Sequence, residues 1–143
     1  MKIDTILATK GMNVVTINPQ RSLKEAVLLL ERHNIGALVV VNESGMPVGI
    51  ISERDIVRRA ARDDKDLLSH PVSNVMTRNV VTGSPQDDLQ SVLRTMSEKH
   101  FRHLPIMDQG KLAGIISIGD VVKAQITEYQ GEIETLETRI VQG

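Results

Sequence analysis

The chain has 143 residues, of which 41% are apolar and 24% charged, a globular balance with room for one ordinary domain or two small half-domains. Its 17 Lys+Arg nearly cancel 18 Asp+Glu, so it carries no field of the kind that gathers a nucleic-acid backbone or an anionic membrane. Phe101 and Tyr129 are the only aromatic residues and there is no cysteine, which excludes base-stacking platforms, disulfides, thiolate metal sites and cysteine nucleophiles.

Residues 1–9 carry Lys2 and Asp4 and no long apolar run, so they read neither as a signal peptide nor as a membrane span, and a cytoplasmic location is expected. Next comes a short apolar strand at 14–17, then Pro19, then a helix whose apolar residues fall at 23, 26, 27 and 30, one buried face. Ser22 and Glu25 have capping-box spacing at its start. A strand at 37–41 follows, apolar enough to be covered on both faces. A turn holding Gly45 leads into a second strand at 48–51, and a helix starts at Ser52. The charged stretch 61–71 reads as a linker, with Arg62, Asp63, Asp64, Lys65 and Asp66, and Pro71 marks the approach to the next unit.

That next unit is a second copy of the first. Val80-Val81-Thr82-Gly83-Ser84-Pro85-Gln86 repeats Val14-Val15-Thr16-Ile17-Asn18-Pro19-Gln20, and Gly114-Ile115-Ile116-Ser117-Ile118-Gly119-Asp120 repeats Gly49-Ile50-Ile51-Ser52-Glu53-Arg54-Asp55. The second copy therefore predicts a strand at 80–82, a helix with apolar residues at 89, 92, 93 and 96 capped by Asp87 or Asp88, a hairpin of 104–107 and 112–116, and a helix from Ser117. Units of about 60 residues have marginal cores alone, so the two are expected to pack around a pseudo-two-fold axis. The expected boundaries are 1–66 for the first repeat with the start of the linker, 67–127 for the second, and 128–143 for a C-terminal amphipathic helix.

The twin Gly-Ile-Ile-Ser-x-x-Asp segments, the phrase His103-Leu104-Pro105-Ile106 and the β-α-β-β-α order resemble a tandem pair of CBS domains, a Bateman module, over roughly residues 4 to 127. The resemblance implies an α/β regulatory module, commonly dimeric, that holds adenosine-containing ligands in clefts between its repeats. An adenine nucleotide such as AMP, ADP, ATP or NAD is the expected ligand.

Two readings compete at Ser52 and Asp55, and at Ser117 and Asp120. Ser-x-x-Asp at a helix start is capping-box spacing, with Asp in place of the usual Glu. The same geometry offers free backbone N–H groups to a phosphate and a carboxylate to ribose hydroxyls. Thr16 and Thr82 resemble positions where family members contact adenine or ribose, although ordinary strand-end hydrogen bonding also accounts for them. The copies differ in their polar groups. Arg102 and His103 stand where the first copy has Gly36 and Ala37, and Arg54 stands where the second has Gly119, so the two clefts should be inequivalent. Ala37 and Pro105 complete the candidate ligand-binding set.

His100 and His103 have i,i+3 spacing but no cysteine accompanies them, so no metal site is expected. No Gly-x-Ser-x-Gly elbow, Walker loop or dinucleotide fingerprint occurs, so neither a hydrolase nor any other enzyme is indicated. Val122, Ile126, Tyr129, Ile133, Leu136 and Ile140 alternate steps of four and three residues, a narrow apolar seam that fits either a helix lying on its own module or one packing on a sister chain. With Val57 and Ala60 it predicts a homodimer. A ligand sensor coupled to an unidentified partner protein is the leading expectation, and a ligand-free dimerisation or adaptor module is the alternative.

Overall fold

The computed structural model describes residues 1–11, 14–62 and 65–142; Asp63 and Asp64, read above as linker, lie outside the described residues. The order is α1 (Ile3–Lys10), β1 (Thr16–Ile17), α2 (Leu23–His33), β2 (Ala37–Val41), β3 (Pro47–Ser52), α3 (Glu53–Ala60), two 3-10 turns (Leu67–Ser69 and Val72–Asn74), α4 (Leu89–Lys99), β4 (His103–Asp108), β5 (Lys111–Ser117) and α5 (Ile118–Gln142). In the first repeat β1 lies parallel to β2, which pairs antiparallel with β3; in the second, β4 and β5 form the matching hairpin.

The helices form where apolar periodicity and caps agree. Leu23, Ala26 and Leu30 bury one face of α2, and the Ser22 side chain accepts from the Glu25 N–H. Leu89, Val92 and Met96 do the same in α4, which Asp88 caps by accepting from the N–H groups of Gln90 and Ser91. Both helices end in a left-handed residue, Asn34 at φ 51° and His100 at φ 58°, so His100 serves as a C-cap. Leu38, Val39 and Val40 are fully buried, consistent with a strand covered on both faces.

One sequence expectation fails. Residues 80–82 form no strand, and only Gly83 bridges to Ile106. Gly83 donates to the Pro105 carbonyl and accepts from the Met107 N–H. The next donor position back along β4 on that edge is residue 105, a proline with no N–H, so the ladder stops after one rung. In the first repeat Val39 stands at this place and the pairing of Thr16 with Val39 survives.

The two cores are completed crosswise. Ile3, Ile6 and Leu7 of α1 join Leu89, Met96, Leu104 and Ile116 in the core of the second repeat, while Leu67, Val72 and Met76 join Leu23, Leu38 and Ile51 in the core of the first. Matching backbone bonds fix both insertions. Ile3 N–H donates to Asp87 O and Asp4 N–H to Pro85 O, as Val72 N–H donates to Arg21 O and Ser73 N–H to Pro19 O. The motif glycines make the seats: a Cβ on Gly114 would stand 2.6 Å from Leu7 Cδ2, and one on Gly49 would stand 2.9 Å from Met76 Cγ. Each repeat thus carries a segment of chain from in front of the other.

Candidate functional site

Each Gly-Ile-Ile-Ser-x-x-Asp segment ends a strand and starts a helix, which places its serine and aspartate at the strand-to-helix corner. Ser52 caps α3, its Oγ accepting from Asp55 N–H at 3.2 Å, and Asp55 Oδ2 accepts in return from Ser52 N–H at 3.0 Å and Ser52 Oγ at 3.0 Å. Ser117 and Asp120 repeat the exchange at 3.1 and 2.8 Å at the start of α5. Helix capping is therefore present at both segments. It engages Oδ2 in each case. Among the described residues Oδ1 of Asp120 accepts no hydrogen bond, and Oδ1 of Asp55 meets only the Thr77 hydroxyl at 3.5 Å.

The strands that precede these helices bring up their first residues. Ala37 pairs with Ser52, and His103 pairs with Ser117. The preceding carbonyls are held alike, Gly36 O by Glu53 N–H at 3.0 Å and Arg102 O by Ile118 N–H at 2.9 Å. His103 then reaches across the junction. A Cβ on Gly36 would lie 3.7 Å from its Nε2, so the absence of a side chain at Gly36 leaves room beside the imidazole. Its ring makes no hydrogen bond among the described residues. Burial lowers the His103 pKa below 6.5, Lys10 and Arg102 lower it further, and the carboxylates of Asp120 and Asp55 pull the other way without cancelling the shift. The imidazole feels an aspartate from each repeat.

Lys10, which no sequence pattern marked, donates to Asp120 Oδ2 and to the Ile115 carbonyl at 2.8 Å. Burial raises the Asp120 pKa, but the bonds from Lys10 and from Ser117 outweigh it and hold the carboxyl below 3.8. Thr77, also unmarked, is the corresponding neighbour of Asp55. Both belong to the crosswise segments and contact their carboxylates only through the tertiary fold.

The other candidates spread around this centre. Arg54 is exposed on the first turn of α3, and Arg102 is exposed just before β4. Pro105 is buried within β4 and Thr82 is exposed beside it. Thr16 lines a cavity of about 570 Å³ at the far end of the strands, where the hairpin turns of the two repeats meet through Ser44, Gly45 and Met46 from one and Gly110, Lys111 and Leu112 from the other. A second cavity, of about 430 Å³, opens between α1 and α5 and takes in Lys10, Asp120 and Lys123. Ser52, Asp55, Ser117, Asp120, His103 and Ala37 thus form one group, with Thr16 apart from it. Ser44 and Lys111 went unnoticed in sequence because turn residues carry only turn signals. Among the described residues no helix is long and apolar enough to cross a membrane.

Comparison with known proteins agrees with this geometry. The family described as CBS domain matches twice, over residues 5–62 and 72–127. The CBS domain-containing protein YhcV of Bacillus subtilis is 34% identical over 125 residues, covering 87% of this chain and 88% of its own. The CBS-domain protein ATU1752 of Agrobacterium tumefaciens superposes with a TM-score of 0.83 at 42% identity, over 87% of this chain and 99% of that one. The CBS domain pair of protein MJ0100, solved in complex with 5′-methylthioadenosine and S-adenosyl-L-methionine, superposes with a TM-score of 0.79 at 27% identity, over 90% of this chain and 98% of that one. Two matched repeats, interleaved through their cores, place this chain in the CBS-domain family as a tandem CBS pair.

Proposed function

We propose that this CBS pair is a non-catalytic sensor that binds an adenosine-containing ligand, an adenine nucleotide such as AMP, ADP, ATP or NAD, in the clefts flanking His103. The observation that carries the reading is the division of labour within each aspartate. Oδ2 closes the helix cap, while Oδ1, open at Asp120 and met by the Thr77 hydroxyl at 3.5 Å at Asp55, is the oxygen offered to ribose hydroxyls one turn inside a helix whose start favours a phosphate. The complex of MJ0100 with 5′-methylthioadenosine and S-adenosyl-L-methionine supports the adenosine class. Arg102 and Arg54, exposed on opposite repeats, supply the cations for a phosphate. Because the clefts lie between repeats, a bound ligand favours one placement of those repeats. A partner that reads that placement gains or loses affinity by the same coupling energy.

The test is thermal stabilisation by AMP, ADP, ATP, NAD and S-adenosylmethionine, repeated with Asp55→Asn and Asp120→Asn and with the 2′-deoxy form of the best ligand. A melting-temperature rise that is lost with the 2′-deoxy ligand and in one aspartate variant is expected. No rise with any of the five at millimolar concentration would overturn the sensor reading in favour of a ligand-free dimerisation or adaptor module.

A further inference from the structure

Beyond its first turns α5 leaves the body of the molecule. Residues 129–141 are exposed all the way round, and the apolar seam is open along its whole length, from 42% exposure at Val122 to 78% at Ile140. The seam is not the face that packs inward. Val121 is fully buried, and at about 100° per residue the seam lies a quarter turn away from it. A projecting helix of so few turns is marginal in water unless its apolar face is packed.

We propose that the seam is covered by α5 of a second copy of this chain, running antiparallel. The direction follows from the charges beside the seam. With Ile126, Ile133 and Ile140 at the a positions and Val122, Tyr129 and Leu136 at d, Lys123, Gln130 and Glu137 fall at e, and Gln125, Glu132 and Arg139 at g. A parallel pair sets g against the following e of the other chain, so Glu132 would meet Glu137 of the second copy, twice by symmetry. An antiparallel pair sets e against e and g against g. Layering Ile126 on Leu136 of the second copy, and Ile133 on its Tyr129, then places Lys123 opposite Glu137 of the second copy at both ends. Gln125 faces its Arg139, and the one unfavourable contact is Glu132 with its own counterpart on the two-fold axis. Gly131 falls at f, away from the partner, and so leaves no gap in the seam.

The chain has no cysteine, so introduced thiols report on this interface without interference. Full-length Ile126→Cys and Leu136→Cys variants are oxidised separately and as a mixture. The antiparallel pair gives disulfide-linked dimers in the mixture, one chain of each kind, and none in either variant alone, because two copies of residue 126 then stand about 15 Å apart along the helices. Cross-linking of Ile126→Cys with itself overturns the proposal in favour of a parallel pair. In sedimentation, Lys123→Glu should raise the dimer dissociation constant about tenfold, and Lys123→Glu with Glu137→Lys should restore it. Both positions are exposed and outside the two buried cores, so the thermal unfolding of the CBS pair itself should not change. A monomeric full-length chain, or a dimer indifferent to the charge reversal, overturns the proposal.

Discussion

The ammonium of Lys10 sits on the carboxylate of Asp120, across 110 residues of sequence, whereas the pseudo-equivalent Asp55, beyond its bonds to Ser52, meets the hydroxyl of Thr77 at 3.5 Å. Among the described residues a cation pairs with Asp120 and none pairs with Asp55. The two halves of the site therefore differ electrostatically although their capping geometry is the same. Replacing Lys10 with Met should raise the Asp120 pKa, since burial then acts against fewer compensating bonds. A group whose folded pKa lies below its unfolded value contributes stability above the unfolded pKa, here 3.8, and loses it as pH falls through the folded value. Lys10→Met should accordingly lose stability at neutral pH and show a flatter acid limb. Carboxyl-carbon NMR titration checks the shift directly, and an unchanged Asp120 midpoint would count against the pairing.

His103 gives a second pH dependence with the same sign. Its folded pKa is depressed, chiefly by burial and then by Lys10, so the unfolded chain takes up the proton first as pH falls below 6.5. Its contribution is complete above pH 6.5 and disappears as pH falls through the folded value. The melting temperature of His103→Asn should fall less steeply over that window than that of the parent. Identical slopes in the two proteins would show that the imidazole titrates as it does in water.

The crosswise insertions predict one unfolding unit rather than two. Leu7 is buried against Gly114 in the second repeat, and Met76 against Gly49 in the first, so neither core is complete without chain from in front of the other. Leu7→Ala should cost about 2 to 5 kcal/mol, the range for truncating a buried leucine. The urea transition should shift as a whole and keep its slope. A biphasic curve in which only the later half moves would mean that the repeats unfold independently.

How much of this was legible in sequence depends on the range of the interaction. The apolar faces of α2 and α4, the hairpins and the Ser52 and Asp55 cap are set by residues within one or two turns of each other, and local patterning specifies them. The missing strand at 80–82 was not legible because its cause sits in the opposite strand, at Pro105. Lys10 and Thr77 were missed for the same reason: neither belongs to the repeated motif, and both reach their carboxylates only through the crosswise packing. The seam from Val122 onward lies on the helix that starts after Ser117, and α5 runs on through Gly131, where a single glycine costs a helix only about 1 kcal/mol.

The last prediction concerns Arg102. Its carbonyl is fixed by the Ile118 N–H at 2.9 Å, which anchors its backbone beside His103 at the start of α5, while its side chain is exposed. Gly36, its counterpart in the first repeat, brings no charge to the same place. If the clefts take a phosphorylated adenosine, the guanidinium is the group placed to reach the phosphate, and it should act on the phosphate alone. Arg102→Ala should therefore weaken AMP binding by about 1.5 to 3 kcal/mol, as expected for a hydrogen bond to a charged group, and leave adenosine binding unchanged. Arg102→Lys keeps the charge but not the planar fork and should fall between the two. Calorimetric titration with both ligands separates the outcomes. Equal losses for adenosine and AMP would assign Arg102 to the shape of the cleft and remove it from phosphate recognition.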